Sequence, residues 1–307
     1  MMADMRIHLN LLALQLLLLV IGLPLPAQTT GANWLSTLPD DTALQTLRIP
    51  GTHNSAALYE PLPGTAKCQS LSIAQQLEAG VRFFDIRCRH QKDRFELYHG
   101  IVDQKQNFTQ LQQTLVKFLK IHPREVVLIS IQQAPHAKDN TRTFAETFLH
   151  YQQQAPKLWS SVKTVPTLGQ TRGNAVVLRR FRSTQPIGIP ATDWKSVGIH
   201  RTKLLMIQDR FKVQKPATKW AQVEQLWKDQ PQHPELLALN FTSGYRAGAF
   251  GIPDITAVSD PINARLKTRL ASPTPPPPSV LILDHLTPEI ATAIYELNLK
   301  SPKPIPK

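Results

Sequence analysis

Val81-Arg82-Phe83-Phe84-Asp85-Ile86-Arg87, with Leu97-Tyr98-His99-Gly100 shortly after it, decides how this 307-residue chain is read. The first stretch is an apolar run that finishes in charge. On a strand, Asp85 and Arg87 lie two apart and so share a face. A carboxylate beside a guanidinium at a strand end, with a histidine a few residues on, suits a chemical site. A guanidinium bonds two phosphate oxygens at once. A histidine transfers protons near neutral pH. An aspartate holds an imidazole in one tautomer. The plain alternative is a strand-end ion pair.

Working outward, other apolar runs end in the same way. The run at 47–50 leads into Gly51-Thr52-His53-Asn54-Ser55, where Gly51 permits a tight turn and His53 is displayed beyond it. The run at 126–131 ends in Gln132-Gln133, that at 174–178 in Arg179-Arg180, and that at 204–207 in Gln208-Asp209. The last two end at Asn240 and Asp284. Continuous apolar runs of this kind mark strands buried on both faces. Between them, 71–80, 108–121, 141–154, 220–229, 261–270 and 287–299 carry helical spacing. Strands near 47, 82, 96, 127, 176, 204, 237 and 281 alternate with most of these intervals. The alternation predicts an α/β fold with a parallel sheet, and eight strands suggest a single-domain (β/α)8 barrel whose strand ends converge on one face. The link from Arg87 to Phe95 is too short for a crossover helix, so the barrel is irregular there. A doubly wound open sheet is the alternative, but the chain has neither GxGxxG nor a P-loop.

The formal charge is +13 and the pI about 9.9. Such an excess favours anionic partners. The basic residues are scattered, which suits a general pull toward an anionic membrane surface and gives no arm for nucleic acid. Arg6, the apolar run from 11 to about 24, and Pro26-Ala27-Gln28 have the layout of a signal peptide over 1–27. A retained anchor is the alternative, although the run is short for a span of roughly 20 residues. The expected mature domain is 28–299, with a loose Lys/Pro tail at 300–307, in a secreted or periplasmic protein. The only cysteines are Cys68 and Cys88. In an exported chain such a pair suits a disulfide closing a loop of about 21 residues, worth roughly 3 kcal/mol; two free buried thiols are the other reading.

His53 and His99, Asp85 and Asp284, and Arg87 follow different strands, and no cluster of metal ligands is evident in the pattern. Two histidines and an arginine without metal suit displacement at phosphorus. One histidine takes a proton, the other gives one, and the arginine steadies the non-bridging oxygens.

IPGTHNS at 49–55, GVRFFDIRCR at 80–89, LYHG at 97–100 and LILD at 281–284 together resemble the X region of secreted, metal-independent phosphatidylinositol-specific phospholipase C. The resemblance runs from about Trp34 to Leu299. It implies an irregular (β/α)8 barrel, no cofactor or metal, and a membrane phospholipid substrate of the phosphatidylinositol type taken by a monomer. It implies His53 as general base oriented by Asp284, His99 as general acid oriented by Asp85, and Arg87 on the phosphate. The products would be diacylglycerol and inositol 1,2-cyclic phosphate. Asn54, Arg180, Asp209 and Phe211 would line the head group. The chain departs from the family at Asn54, where an Asp is usual, at Gln132-Gln133-Ala134, where a Lys and an acid are frequent, and at Phe211, where a Tyr is found. These departures alter the head-group shell. They keep open a different phosphodiester, or a barrel that binds a head group or protein partner without turnover.

Overall fold

Residues 30–300, apart from 197, 249 and 250, are described by the computed structural model. The expected signal peptide and almost all of the expected tail lie outside them. In chain order the strands are β1 (Arg48–Thr52), β2 (Phe83–Gln91), β3 (Arg94–His99), β4 (Val102–Asn107), β5 (Val127–Gln133), β6 (Ala175–Arg180) and β7 (Ile189–Pro190). Then come β8 (Ile199–Arg201), β9 (Leu205–Gln208), β10 (Leu237–Phe241), β11 (Arg246–Ala247), β12 (Pro253–Asp254) and β13 (Ser279–Leu283). The helices are α1 (Ile73–Glu78), α2 (Phe108–Ile121), α3 (Phe144–Gln154), α4 (Pro216–Asp229), α5 (Thr256–Leu270) and α6 (Pro288–Tyr295). Side-chain caps start several of them. Ser72, Asn107 and Thr143 each form a capping box with the residue three further on.

Parallel pairing runs β7-β6-β5-β2-β1-β13-β10-β9, eight staves in chain order around a curled sheet. β8 adds to β9 antiparallel. β7 and β8 are the two ends of this sheet, so the curl is open along one seam. The expected irregular barrel is therefore present, with one correction. The strand near 96 is β3, an antiparallel arm that leaves the barrel with β4 as a hairpin on β2. Lys92 and Asp93 both take positive φ, 50° and 55°, as a two-residue hairpin turn requires. The remaining stave is the two-residue β7, which carries no apolar run to announce it.

Strand parity builds the core. Phe83 points inward with Ile49, Leu128, Val176, Ile207, Leu239 and Ile282. Phe84, Ile86 and Cys88 point outward, beneath the helices, with Leu115, Ile129 and Val258. Asp85 and Arg87 share the parity of Phe83, so they continue the barrel interior upward as a polar layer. Below the core, Arg82 is 1% exposed. Its Nε donates to Glu125 at 2.8 Å, and its terminal nitrogens donate to the carbonyls of Leu77, Val81, Gly31 and Ala32. Every guanidinium N–H of Arg82 is thus used.

Both cysteines are free and buried, which overturns the expected disulfide. Parity is the reason. Cys88 faces outward into the helical layer, whereas Cys68 sits in a separate cluster with Ala57 and Ile255.

Candidate active site

The polar layer forms where the staves end. His53 follows β1, and Asp284 follows β13, its parallel neighbour. His53 Nδ1 lies 2.7 Å from Asp284 Oδ1, and Arg87 donates to His53 Nε2 at 2.8 Å. A guanidinium can only donate, so the Nε2 lone pair faces Arg87 and the ring proton sits on Nδ1 toward the carboxylate. Burial pushes Asp284 up, but His53 and the N–H of Gly244 more than offset it and hold the carboxyl below its usual range.

His99 stands across from His53, with ring centroids 6.1 Å apart and planes nearly perpendicular. Its Nδ1 donates to the Ala66 carbonyl at 2.7 Å. Here the expectation of an Asp85 partner is corrected. Asp85 is fully buried and instead accepts from Arg180 at 3.3 Å, Ser130 at 3.3 Å and the Asn54 N–H at 3.3 Å, with Arg87 at 3.6 Å. β3 carries His99 away from the floor on the hairpin, where the loop ahead of α1 offers a carbonyl. Burial, then the charges of Arg87 and His53, push His99 down to about 4. Burial also pushes Asp85 up, but Arg87 and Arg180 reverse that and hold it low.

Asn54 takes φ 41°, a left-handed conformation that Asn tolerates. Its Nδ2 and the Nε of Arg87 are buried and have no hydrogen-bond partner among the described residues. Gln132 lies in register between Arg87 and Arg180, and its buried Oε1 is likewise unpartnered among them. Gln133 is exposed. Arg180 bridges Asp85 and Asp209, at 3.3 and 3.9 Å. Phe211 stands apart on the rim, 39% exposed and stacked on Tyr245. The layer therefore brings together every expected residue except Phe211.

Four contributors to the layer were not expected there from sequence, Cys68 having been read only as half of a disulfide. Trp194 lies flat under Arg180, 3.8 Å from guanidinium carbon to ring centroid, and donates to Asp209 at 2.9 Å. Gln69, fully buried, donates to the carbonyls of His53 and Leu283 and accepts from the Leu286 N–H. Lys219 on α4 is buried behind β9, donates to Gln208 and to the Arg210 carbonyl, and is lowered by burial to about 8. Cys68 puts its sulfur 3.6 Å from His99 Nδ1. A Gln and a Cys side by side at 68–69 was the available signal; the Ala66 carbonyl had none, since every residue carries one.

The family described as phosphatidylinositol-specific phospholipase C, X domain, matches residues 45–181. A 1-phosphatidylinositol phosphodiesterase of Listeria monocytogenes is 30% identical over 175 residues, 54% of each chain. One from Staphylococcus aureus strain Newman is 28% identical over 200 residues, 59% of this chain and 64% of the relative. The aligned region thus spans only about half to two thirds of these curated relatives. A solved structure of the S. aureus phosphatidylinositol-specific phospholipase C superposes with a TM-score of 0.77 at 24% identity, over 86% of this chain and 98% of that one. The fold is therefore shared along nearly the whole described chain, and the motif-bearing first half is similar in sequence to the X domain of phosphatidylinositol-specific phospholipase C.

Proposed function

We propose that this protein is an exported phosphodiesterase that cleaves phosphatidylinositol, or a related inositol phospholipid, without a metal, to diacylglycerol and inositol 1,2-cyclic phosphate. The observation that carries the reading is the His53 pair of contacts, Asp284 on Nδ1 and Arg87 on Nε2, with His99 facing it. His53 Nε2 is the base toward the inositol 2-hydroxyl. As substrate enters, the hydroxyl takes the place of Arg87 at Nε2, and Arg87 turns its fork to the phosphate. Its unpartnered Nε, and Nδ2 of Asn54, are donors for the phosphate oxygens. His99, steadied at Nδ1 by Ala66, protonates the diacylglycerol oxygen from Nε2. In the free protein His99 is held neutral, and the phosphodiester anion raises its affinity for the proton it must give. Arg180, Asp209 and Trp194 form the wall beside the head group.

The mouth suits a lipid surface. Tyr59, Leu62, Ile101 and Phe211 are exposed on loops that follow β1, β3 and β9, and the chain is strongly basic. The N-terminal signal-like segment supports export. A second reading has its own observation. Gln132 sets a neutral amide between two arginines, so a phosphodiester with a different head group fits the same chemistry.

The test is release of water-soluble inositol phosphate from phosphatidylinositol vesicles, with EDTA and with calcium. The expected result is release that survives EDTA and falls about 10²–10⁴-fold in His53→Ala or His99→Ala. Activity persisting in either variant would falsify the assigned roles. Release that requires calcium overturns the part given to Arg87.

A further inference from the structure

We propose that Cys68, His53 and Asp284 form a binding site for a borderline-soft divalent cation of the zinc class, and that filling it arrests the histidine pair. Each residue offers one ligand atom, and these atoms all lie within 4.8 Å of one another. One sulfur, one nitrogen and one oxygen are the donor types zinc takes. Calcium and magnesium demand more oxygens than the group has, and a thiolate selects against them.

The three ligands are held on rigid supports. His53 and Asp284 leave adjacent parallel staves. The Cys68 N–H donates to the Ala57 carbonyl at 2.9 Å, and the Cys68 carbonyl accepts from the His285 N–H at 2.6 Å. Gln69 then ties the same segment to the backbone of both other ligands, through the carbonyls of His53 and Leu283. A fourth position is in reach. The 3.6 Å between Cys68 Sγ and His99 Nδ1 matches the ~3.6 Å that separates a sulfur and a nitrogen bound tetrahedrally at about 2.3 and 2.1 Å. His99 takes it by giving up its bond to Ala66; water takes it otherwise. The proposed reaction uses no thiol, and packing against Ala57 and Ile255 needs no sulfur.

Charge and protons balance. The group now holds a neutral thiol, a neutral imidazole and one carboxylate. A divalent cation with thiolate, carboxylate and imidazole sums to zero, and one proton leaves for solvent. The nearby charges of Arg87 and Asp85 oppose each other. Coordination through Nδ1 moves the His53 ring proton to Nε2, which faces Arg87 as a donor. Arg87 must then let go. A metal-bound His53 is neither a base nor a partner for Arg87, so turnover stops for two reasons. That loss of turnover rests on the phosphodiesterase reading; the metal site itself does not.

The experiment is calorimetric titration of the full chain with zinc chloride, under a non-chelating reductant, for the native protein and Cys68→Ala. Cobalt(II) absorption gives a second readout. The expected result is one equivalent of zinc, with affinity at least about 10–100-fold weaker in the variant, the loss that even supporting partners of ligands produce. Cobalt should give a thiolate charge-transfer band that Cys68→Ala lacks, and magnesium and calcium should give no heat. If Cys68→Ala fails to fold, Cys68→Ser keeps the volume without the soft donor and is expected to weaken zinc in the same range. Equal zinc affinity in native and variant chains places the metal elsewhere and overturns the site, as does failure of the native chain to bind stoichiometrically. Zinc binding through Cys68 in a chain that cleaves no inositol lipid supports this site and sinks the phosphodiesterase reading. Turnover on lipid that zinc leaves untouched overturns this site alone.

Discussion

Two arginines flank the buried part of one strand and behave as opposites. Arg82, at the lower end, has every N–H bonded to Glu125 or to a backbone carbonyl. Arg87, at the upper end, shares one nitrogen between His53 and Asp85 and leaves its Nε without a partner among the described residues. Both are the same residue type on the same segment, so composition cannot separate them. Hydrogen-bond accounting does. A guanidinium whose donors are all spent holds the fold together; one with a donor in reserve is set to receive something.

The largest expected effect tests the saturated end. Arg82→Ala removes the charge partner of buried Glu125, which keeps only the N–H groups of Leu35 and Ser36, and takes a donor from four carbonyls, and should cost about 3–5 kcal/mol in urea unfolding. A loss under 1 kcal/mol means that Arg82 does not hold the fold together. Arg87→Ala should do the reverse. Turnover on phosphatidylinositol falls about 10²–10³-fold, while the unfolding midpoint hardly moves. Arg87→Lys, which keeps the charge without the fork, should recover only a small part.

His99 is the next sharpening, because it too keeps a spare nitrogen. Its value of about 4 lies below the 6.5 of an unperturbed imidazole. On acidification the unfolded chain therefore takes up this proton first. The stabilising contribution is fully present above 6.5 and is lost as pH falls through 4, a swing of about 3 kcal/mol. Stability measured across that range should flatten in His99→Gln. In NMR titrations the His99 resonance should move to higher pH when an inositol phosphate is bound. A resonance that stays in place argues against an anion beside it.

Gln69 gives the smallest effect and the sharpest contrast. It sits in the polar layer but, like Arg82, has its amide donors and acceptor used. Gln69→Leu should cost about 1–3 kcal/mol of stability. It should also lower kcat more than it changes KM, since what it holds is the backbone under His53. An altered KM with kcat intact makes it a head-group contact instead.

Much of this was legible in the chain. Apolar runs such as 127–131 and 280–283 declared themselves as staves, and the polar residues ending them meet in one layer. β7 was not legible, because two residues cannot display a period. β3 was miscounted as a stave because a hairpin arm and a barrel strand show the same apolar pattern when read singly. The partner of His99 escaped for a different reason: a backbone carbonyl is present everywhere and leaves no mark in the alphabet. Trp194 lies in a long irregular segment where nothing but contact with Arg180 picks it out. The disulfide expectation failed because cysteine spacing says nothing about which face of β2 carries Cys88.

The pairing of β1 with β13, Arg48 beside Ser279 through Thr52 beside Leu283, has a consequence for biogenesis. The first stave meets β2 early but cannot pair with β13 until that last strand has been made, and contacts so distant in sequence form slowly. His53 is made early, but the carboxylate that orients it arrives with the last strand. A nascent or truncated chain that lacks β13 therefore carries no His53–Asp284 pair, and the polar layer closes only when the two ends of the barrel fold meet.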